Sequence, residues 1–258
     1  MPVKAAKGKR HTVTDVRDIH SFSSRSLSID EPLLAERIAA LFAAARRLRA
    51  DAHSGAVGKA LRGKNLALLQ TVPPGRETSP LHRAAQDLGV RVAEVRFETG
   101  GPTQPDIGSL ARLLGRMYDA IDCGALPPPT VQRIELEAGV PVYAGLGLDD
   151  HPARVLADLM TLCEHGSPPA PRWSILFLGD SQTGRSRAFL SAAREMGFAL
   201  HMAEPGRPAT NEPTFVVDAM HSPHWSLHGS GHPIDEARRS ENHRCVMQIV
   251  LLDTMAQA

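Results

Sequence analysis

Apolar residues along the chain fall into short blocks that alternate between helical and strand spacing. Over 31–50, Leu33, Leu34, Ile38, Leu41, Phe42 and Ala45 recur at the three- and four-residue steps of one helical face. Arg46, Arg47 and Arg49 crowd the end of that stretch, where a helix dipole favours cations. Residues 64–70 (KNLALLQ) form an unbroken apolar run of strand length. Residues 71–79 hold Pro-Pro-Gly and read as a loop, 80–88 as a helix, and 90–97 alternate apolar and charged as a strand does. A helix over 109–114 then leads into a strand over 117–121, which puts Arg116 at a strand edge as a buried arginine. Prolines at 127–129 interrupt the chain before a helix over 131–138, a strand over 140–143 and a long helix over 152–164 opened by His151-Pro152.

Gly166-Ser-Pro-Pro-Ala-Pro171 is a natural hinge, and the rhythm restarts beyond it. Strands are expected over 173–178, 199–203 and 214–217, with a helix over 185–196. A loop carrying His221, His224, His228 and His232 precedes a closing helix over about 235–255. Strands separated by helices predict an α/β fold, two domains each with a parallel sheet flanked by helices. In open sheets of this kind ligands bind at the carboxyl ends of the strands, where the arginine of LGRMYD and the imidazole of His151 are expected to meet.

Composition narrows the picture only a little. Apolar residues make up 42% of the 258 positions, enough for a core, while aromatics are 4%, so that core must rest on aliphatic side chains. With 29 Lys and Arg against 28 Asp and Glu, nothing pulls the chain toward nucleic acid or an anionic membrane. Its three scattered cysteines suit a reduced, cytoplasmic protein better than a disulfide framework. No apolar run reaches the roughly 20 residues of a membrane-spanning helix. The basic start, MPVKAAKGKRHTVTD, lacks an apolar segment, so residues 1–15 are expected to be a disordered tail. The four-histidine loop has the donors for zinc, but its two prolines and two glycines keep the rings from sharing a face. A loop that closes over deleted sequence is the preferred reading, and no metal or cofactor is expected.

LGRMYD (114–119), AGVPVY (138–143) and HPARVLADLMTL (151–162) together resemble the aspartate/ornithine carbamoyltransferase family, on the ornithine side. KNLALLQ, GDSQTGRSRAFLSAAREMG and the end of the chain resemble, in turn, that family's first strand, the first unit of its amino-acid-binding domain and its closing helix. The resemblance implies a carbamoyl-phosphate-binding domain over 16–165, a shortened amino-acid-binding domain over 172–233, and a helix over 234–258 returning to the first domain. It implies transfer of a carbamoyl group from carbamoyl phosphate to the amine of ornithine or a related amino acid, by positioning and electrostatics. Arg116 and His151 take the catalytic roles by motif position, and Arg76, Thr78, Arg154 and Ser222 join them in holding substrate. A homo-oligomer, a trimer in this family, is the expected assembly.

Departures from the family's motifs are concentrated at the expected site. Where the family carries Ser-Thr-Arg-Thr-Arg, this chain reads Pro74-Gly75-Arg76-Glu77-Thr78. A carboxylate about 4 Å from a phosphate charge costs on the order of 4 kcal/mol at an effective dielectric of 20, so Glu77 must turn away for a dianion to bind. The glutamine position after His-Pro holds Arg154, a cation but not a carbonyl-polarising amide. The segment that grips the amino acid has no counterpart, and the second domain is short by length. The alternative is therefore a non-catalytic relative that binds a small anion or partners a true carbamoyltransferase.

Overall fold

The computed structural model of the chain describes residues 34–53, 59–71, 79–96, 106–166, 173–203, 213–221, 223–229 and 231–256. In its first sheet β1 (Asn65–Gln70) is central. It is flanked by β2 (Arg91–Arg96) on one side and by β3 (Ala120–Asp122), then β4 (Val142–Tyr143), on the other, all parallel. Alternation along β1 separates two layers. Leu66 and Leu68 join the large core with α1 (Ala35–His53), α2 (Pro80–Asp87) and α5 (Pro152–His165). Ala67 and Leu69 face α3 (Ile107–Met117) and α4 (Pro128–Ala138) in a smaller core.

The second sheet is built on β5 (Ser174–Leu178), with β6 (Ala199–Met202) and β7 (Phe215–Asp218) parallel to it on either side and α6 (Gly184–Glu195) between β5 and β6 in sequence. Few as the aromatics are, they gather here: Phe177, Phe189 and Trp225 pack with ring centroids 5.6–6.2 Å apart. The expected histidine loop is a correction. Its residues include β8 (Ser226–Gly229) and β9 (His232–Pro233), which extend the sheet antiparallel from β7. Leu227 points inward and Ser226 outward, a strand alternation that the loop reading overlooked.

Helix α5 joins the halves. Every residue from Pro152 to Leu162 is buried, so the helix is a central pillar with no solvent face. The closing helix α7 (Glu236–Met255) packs along it. Its start reaches Trp225 of the second sheet unit through Arg239, and its end meets the first sheet where the hydroxyls of Tyr143 and Thr254 hydrogen-bond. One continuous apolar core therefore runs from β1 to β5 through these two helices.

The LGRMYD stretch corrects the sequence reading. The predicted strand over 117–121 is a helix to Met117 and a strand only from Ala120, because Leu114 and Tyr118 continue the helical packing face of α3. Arg116 lies exposed in the last turn of that helix. The motif's constant work is mechanical. Leu114 is buried, and Gly115 lets α3 lie against the end of α4: a Cβ there would stand 1.8 Å from the Ala138 carbonyl oxygen. Asp119 accepts the Asn65 N–H at 2.7 Å and pairs with Lys64 at 3.2 Å, fastening β3 to the start of β1. Gly115→Ala should lose about 1–3 kcal/mol of stability by forcing α3 off α4, outweighing the ~1 kcal/mol helix-propensity gain of alanine. Urea denaturation checks it, and an equally stable or more stable variant would contradict this mechanical role of the motif.

Candidate functional site at the amino end of helix α5

The carboxyl edge of the first sheet is organised by one acidic position, Asp122, and one imidazole, His151. Asp122 ends β3, and its buried carboxylate accepts N–H groups from Gly124 at 3.2 Å, Gly145 at 3.1 Å and Leu146 at 2.8 Å. Burial outweighs those three bonds and raises its pKa to about 6. The bonds pin the turn after β4, and that turn delivers His151 to the N-cap of α5. His151 Nδ1 accepts the Ala153 N–H at 3.1 Å. Burial lowers the pKa of His151 to about 4, so the ring is uncharged at neutral pH. A neutral imidazole that accepts at Nδ1 carries its proton on Nε2, which makes His151 a neutral donor at the positive end of a buried helix.

One turn along, Arg154 is 8% exposed and pairs with Glu236 at 3.0 Å and Asp149 at 3.5 Å. A further turn places Asp158, fully buried, on the same face. Arg239 binds it through Nε at 2.6 Å and Nη2 at 3.2 Å, and Arg185 through Nη2 at 3.0 Å. Burial opposes the charge on Asp158, but Arg239, Arg154 and Arg185 overcome it and hold the carboxyl below the usual range. Arg185 also donates to the Pro223 carbonyl at 2.7 Å and lies 4.1 Å over the Trp225 ring. Arg154, Arg185 and Arg239 thus face Asp149, Asp158 and Glu236, three cations against three carboxylates. An incoming anion must compete with the protein's own carboxylates for every one of these arginines.

Of the residues singled out from sequence, the structure brings His151 and Arg154 together. Arg116 is a correction: it precedes β3, at the amino end of the parallel strands, whereas His151 follows β4, at the carboxyl end. The two cannot share a ligand through that sheet edge. Arg76, Thr78, Glu77 and Ser222 lie outside the described residues. Sequence reasoning missed Asp122, Asp158, Arg185, Arg239 and His243. The available signal was an aspartate inside an apolar helix, seven residues after His151 and so on the same face, which demands a buried cation elsewhere in the chain. Among the described residues no group of three or more His, Cys, Asp or Glu side chains is placed to hold a metal, and His228 Nε2 hydrogen-bonds Ser226 Oγ at 3.1 Å. A groove of about 490 Å³ lies at the other end of α5, lined by Glu164, His165 and Arg238, away from His151.

Comparison with known proteins places this geometry. Residues 25–164, more than half of the chain, match the carbamoyl-P binding domain of aspartate/ornithine carbamoyltransferases, and the chain belongs to that family. The catabolic ornithine carbamoyltransferase of Clostridium perfringens is 34% identical over 150 residues, which cover 58% of this chain and 45% of that relative. The ornithine carbamoyltransferase of Thermus thermophilus superposes with a TM-score of 0.63 at 20% identity, over 86% of this chain and 96% of that one. That of Pyrococcus furiosus gives 0.60 at 18%, over 87% and 95%. At these identities the likeness to the solved structures is one of fold. No helix among the described residues is long and apolar enough to cross a membrane.

The buried ionisable groups fix how stability depends on pH. His151 and His243, with pKa values lowered to about 4 and about 3, bind no proton in the folded state at pH 5, whereas in the unfolded chain each titrates near 6.5. Asp122 works the other way, holding a proton up to about 6 when folded and losing it near 3.9 when unfolded. Two protons gained on unfolding against one lost leave a net of one, so stability should fall by about 1.4 kcal/mol per unit as pH drops from 6 to 4. His243→Gln should flatten that slope to near zero. Urea midpoints at pH 6.5, 5.5 and 4.5 measure it, and stability that held steady or rose toward pH 4.5 in the unsubstituted protein would refute the assignment.

Proposed function

We propose that the protein binds a carbamoyl donor at the amino end of α5 and transfers the carbamoyl group to the amine of ornithine or a related amino acid, with altered amine preference. The reading rests on His151. A neutral imidazole with its proton on Nε2, fixed by the helix it caps, is the donor that a carbamoyl carbonyl needs as charge grows on its oxygen. Arg76 and Thr78 would hold the phosphate end, with Arg154 adding a cation once Glu236 swings aside. Ser222 would face the amine. Arg116 has no part in this reading. The first-domain and second-domain boundaries expected at 165 and 172, and assembly as a homotrimer, complete the proposal.

A second reading is favoured by the ion pairs. Asp158, Glu236 and Asp149 already neutralise Arg154, Arg185 and Arg239, as befits a non-catalytic relative that keeps the fold and binds a small anion or a true carbamoyltransferase.

Incubating the purified protein with carbamoyl phosphate and a panel of amino acids, ornithine included, separates the two. The transferase reading expects a ureido product and released phosphate with at least one amine. Absence of carbamoyl phosphate binding by calorimetry at millimolar concentration overturns it. Glu236→Gln should tighten carbamoyl phosphate binding about two- to fivefold by removing a partly exposed competitor from Arg154. Unchanged affinity would mean that Arg154 does not meet the ligand.

A further inference from the structure

The turn that carries His151 is built as a relay. Gly145 O accepts the Leu148 N–H at 2.9 Å, and Leu148 O accepts the His151 N–H at 3.2 Å. At the head of that relay a single oxygen, Asp122 Oδ1, takes both the Gly145 and the Leu146 N–H, while Oδ2 takes the Gly124 N–H. One side chain therefore ties the loop after β3 to the turn after β4. The neighbours leave that turn little room to shift. A Cβ on Gly145 would stand 2.7 Å from the Gly124 carbonyl oxygen, and one on Gly147 3.0 Å from Leu81 Cβ in the first turn of α2. Leu146 is fully buried. The position of the imidazole is thus set from the end of β3, across a distance in sequence of 29 residues.

We propose that Asp122 is a positioning residue of the transfer site, fixing the 145–148 turn through Oδ1 and, through that turn, the place of the His151 ring. The inference rests on the reading of His151 as the donor to a carbamoyl oxygen, and adds the group that sets where this donor stands. Asp122 is 6% exposed and both its oxygens are occupied, so it acts through the turn and not on a ligand. What Oδ1 supplies is an acceptor for two N–H groups, a task that an amide oxygen also performs. Asparagine at 122 keeps the bonds to Gly145 and Leu146 and loses only the one to Gly124. Alanine leaves all three donors without their acceptor, and the relay to His151 is no longer anchored.

The test combines nuclear magnetic resonance of the full chain carrying ¹⁵N-labelled histidine with transfer kinetics, for the unsubstituted protein, Asp122→Ala and Asp122→Asn. In the unsubstituted protein the His151 ring is expected to give the signals of one neutral tautomer, with its proton on Nε2. Asp122→Ala should replace that pattern by an average of both tautomers. It should also lower kcat and kcat/KM alike by about 10–100-fold, the loss expected when a contact made in the transition state is misplaced by about 1 Å. Asp122→Asn should restore the single tautomer and bring kcat back to within about threefold. A folded Asp122→Ala protein whose His151 signals match those of the unsubstituted chain overturns the inference and leaves the proposed function standing. An asparagine variant no better than the alanine one also overturns it. Should Asp122→Ala fail to fold, amide exchange in the unsubstituted protein decides: slow exchange at Gly145 and Leu146 supports the inference, and exchange as fast as that of exposed loop amides overturns it. Absence of carbamoyl transfer in the unsubstituted protein removes the proposed activity, while the ring signals still decide what Asp122 positions.

Discussion

Asp158 is an ionised carboxylate with no exposure to solvent, held in the middle of a buried helix, and three segments distant in sequence converge to make that possible. Arg239 comes from α7, Arg185 from the start of α6, and the two guanidiniums also reach the backbone around Trp225. A buried charge stripped of its partner costs about 3–5 kcal/mol, so none of these elements can drift without a large loss. The pillar α5, the closing helix α7 and the second sheet unit are consequently locked to one another at a single point. A second, partly buried network, in which Glu164 binds Arg49, Arg238 and Asn242 while Asn242 also bonds Thr161, adds α1 to the same joint.

This joint decides what is left for chemistry. Arginines that would attract an anion to the amino end of α5 serve as structural counterions, and among the described residues the buried side-chain atoms left without a hydrogen-bond partner are Nε of Arg154, Nε of Arg185 and Nε2 of His243. Scaffold and site draw on the same side chains. Among the described residues, the three arginines gathered at this end of α5 are each paired with a carboxylate of the protein itself.

Much of the scaffold was legible in the sequence, because parallel strands and their helices carry strong apolar periodicity. β1, α5 and α7 were all placed within a few residues of where they lie. Two readings failed for identifiable reasons. Around Arg116 the short strand β3 has only three residues, too few for alternation to show, and the helix before it ends without glycine or proline. In the histidine stretch, polar side chains on the exposed face of β8 hid a strand whose other face is Leu227. The site was less legible than the fold. His151 and Arg154 stood in a recognisable motif, but Asp158, Arg239 and His243 acquire meaning only when α5 and α7 are laid together, a pairing across some eighty residues that no local pattern encodes.

The dependence of the whole on one buried ion pair is tested most directly by a double-mutant cycle in urea with Asp158→Asn, Arg239→Met and the double variant. Each single change is expected to cost about 3 kcal/mol or more, and the double variant to be no less stable than the worse single, a coupling of about 2 kcal/mol or more. Losses that simply add would show that Asp158 and Arg239 act independently, and would contradict the central place of their pairing in the fold.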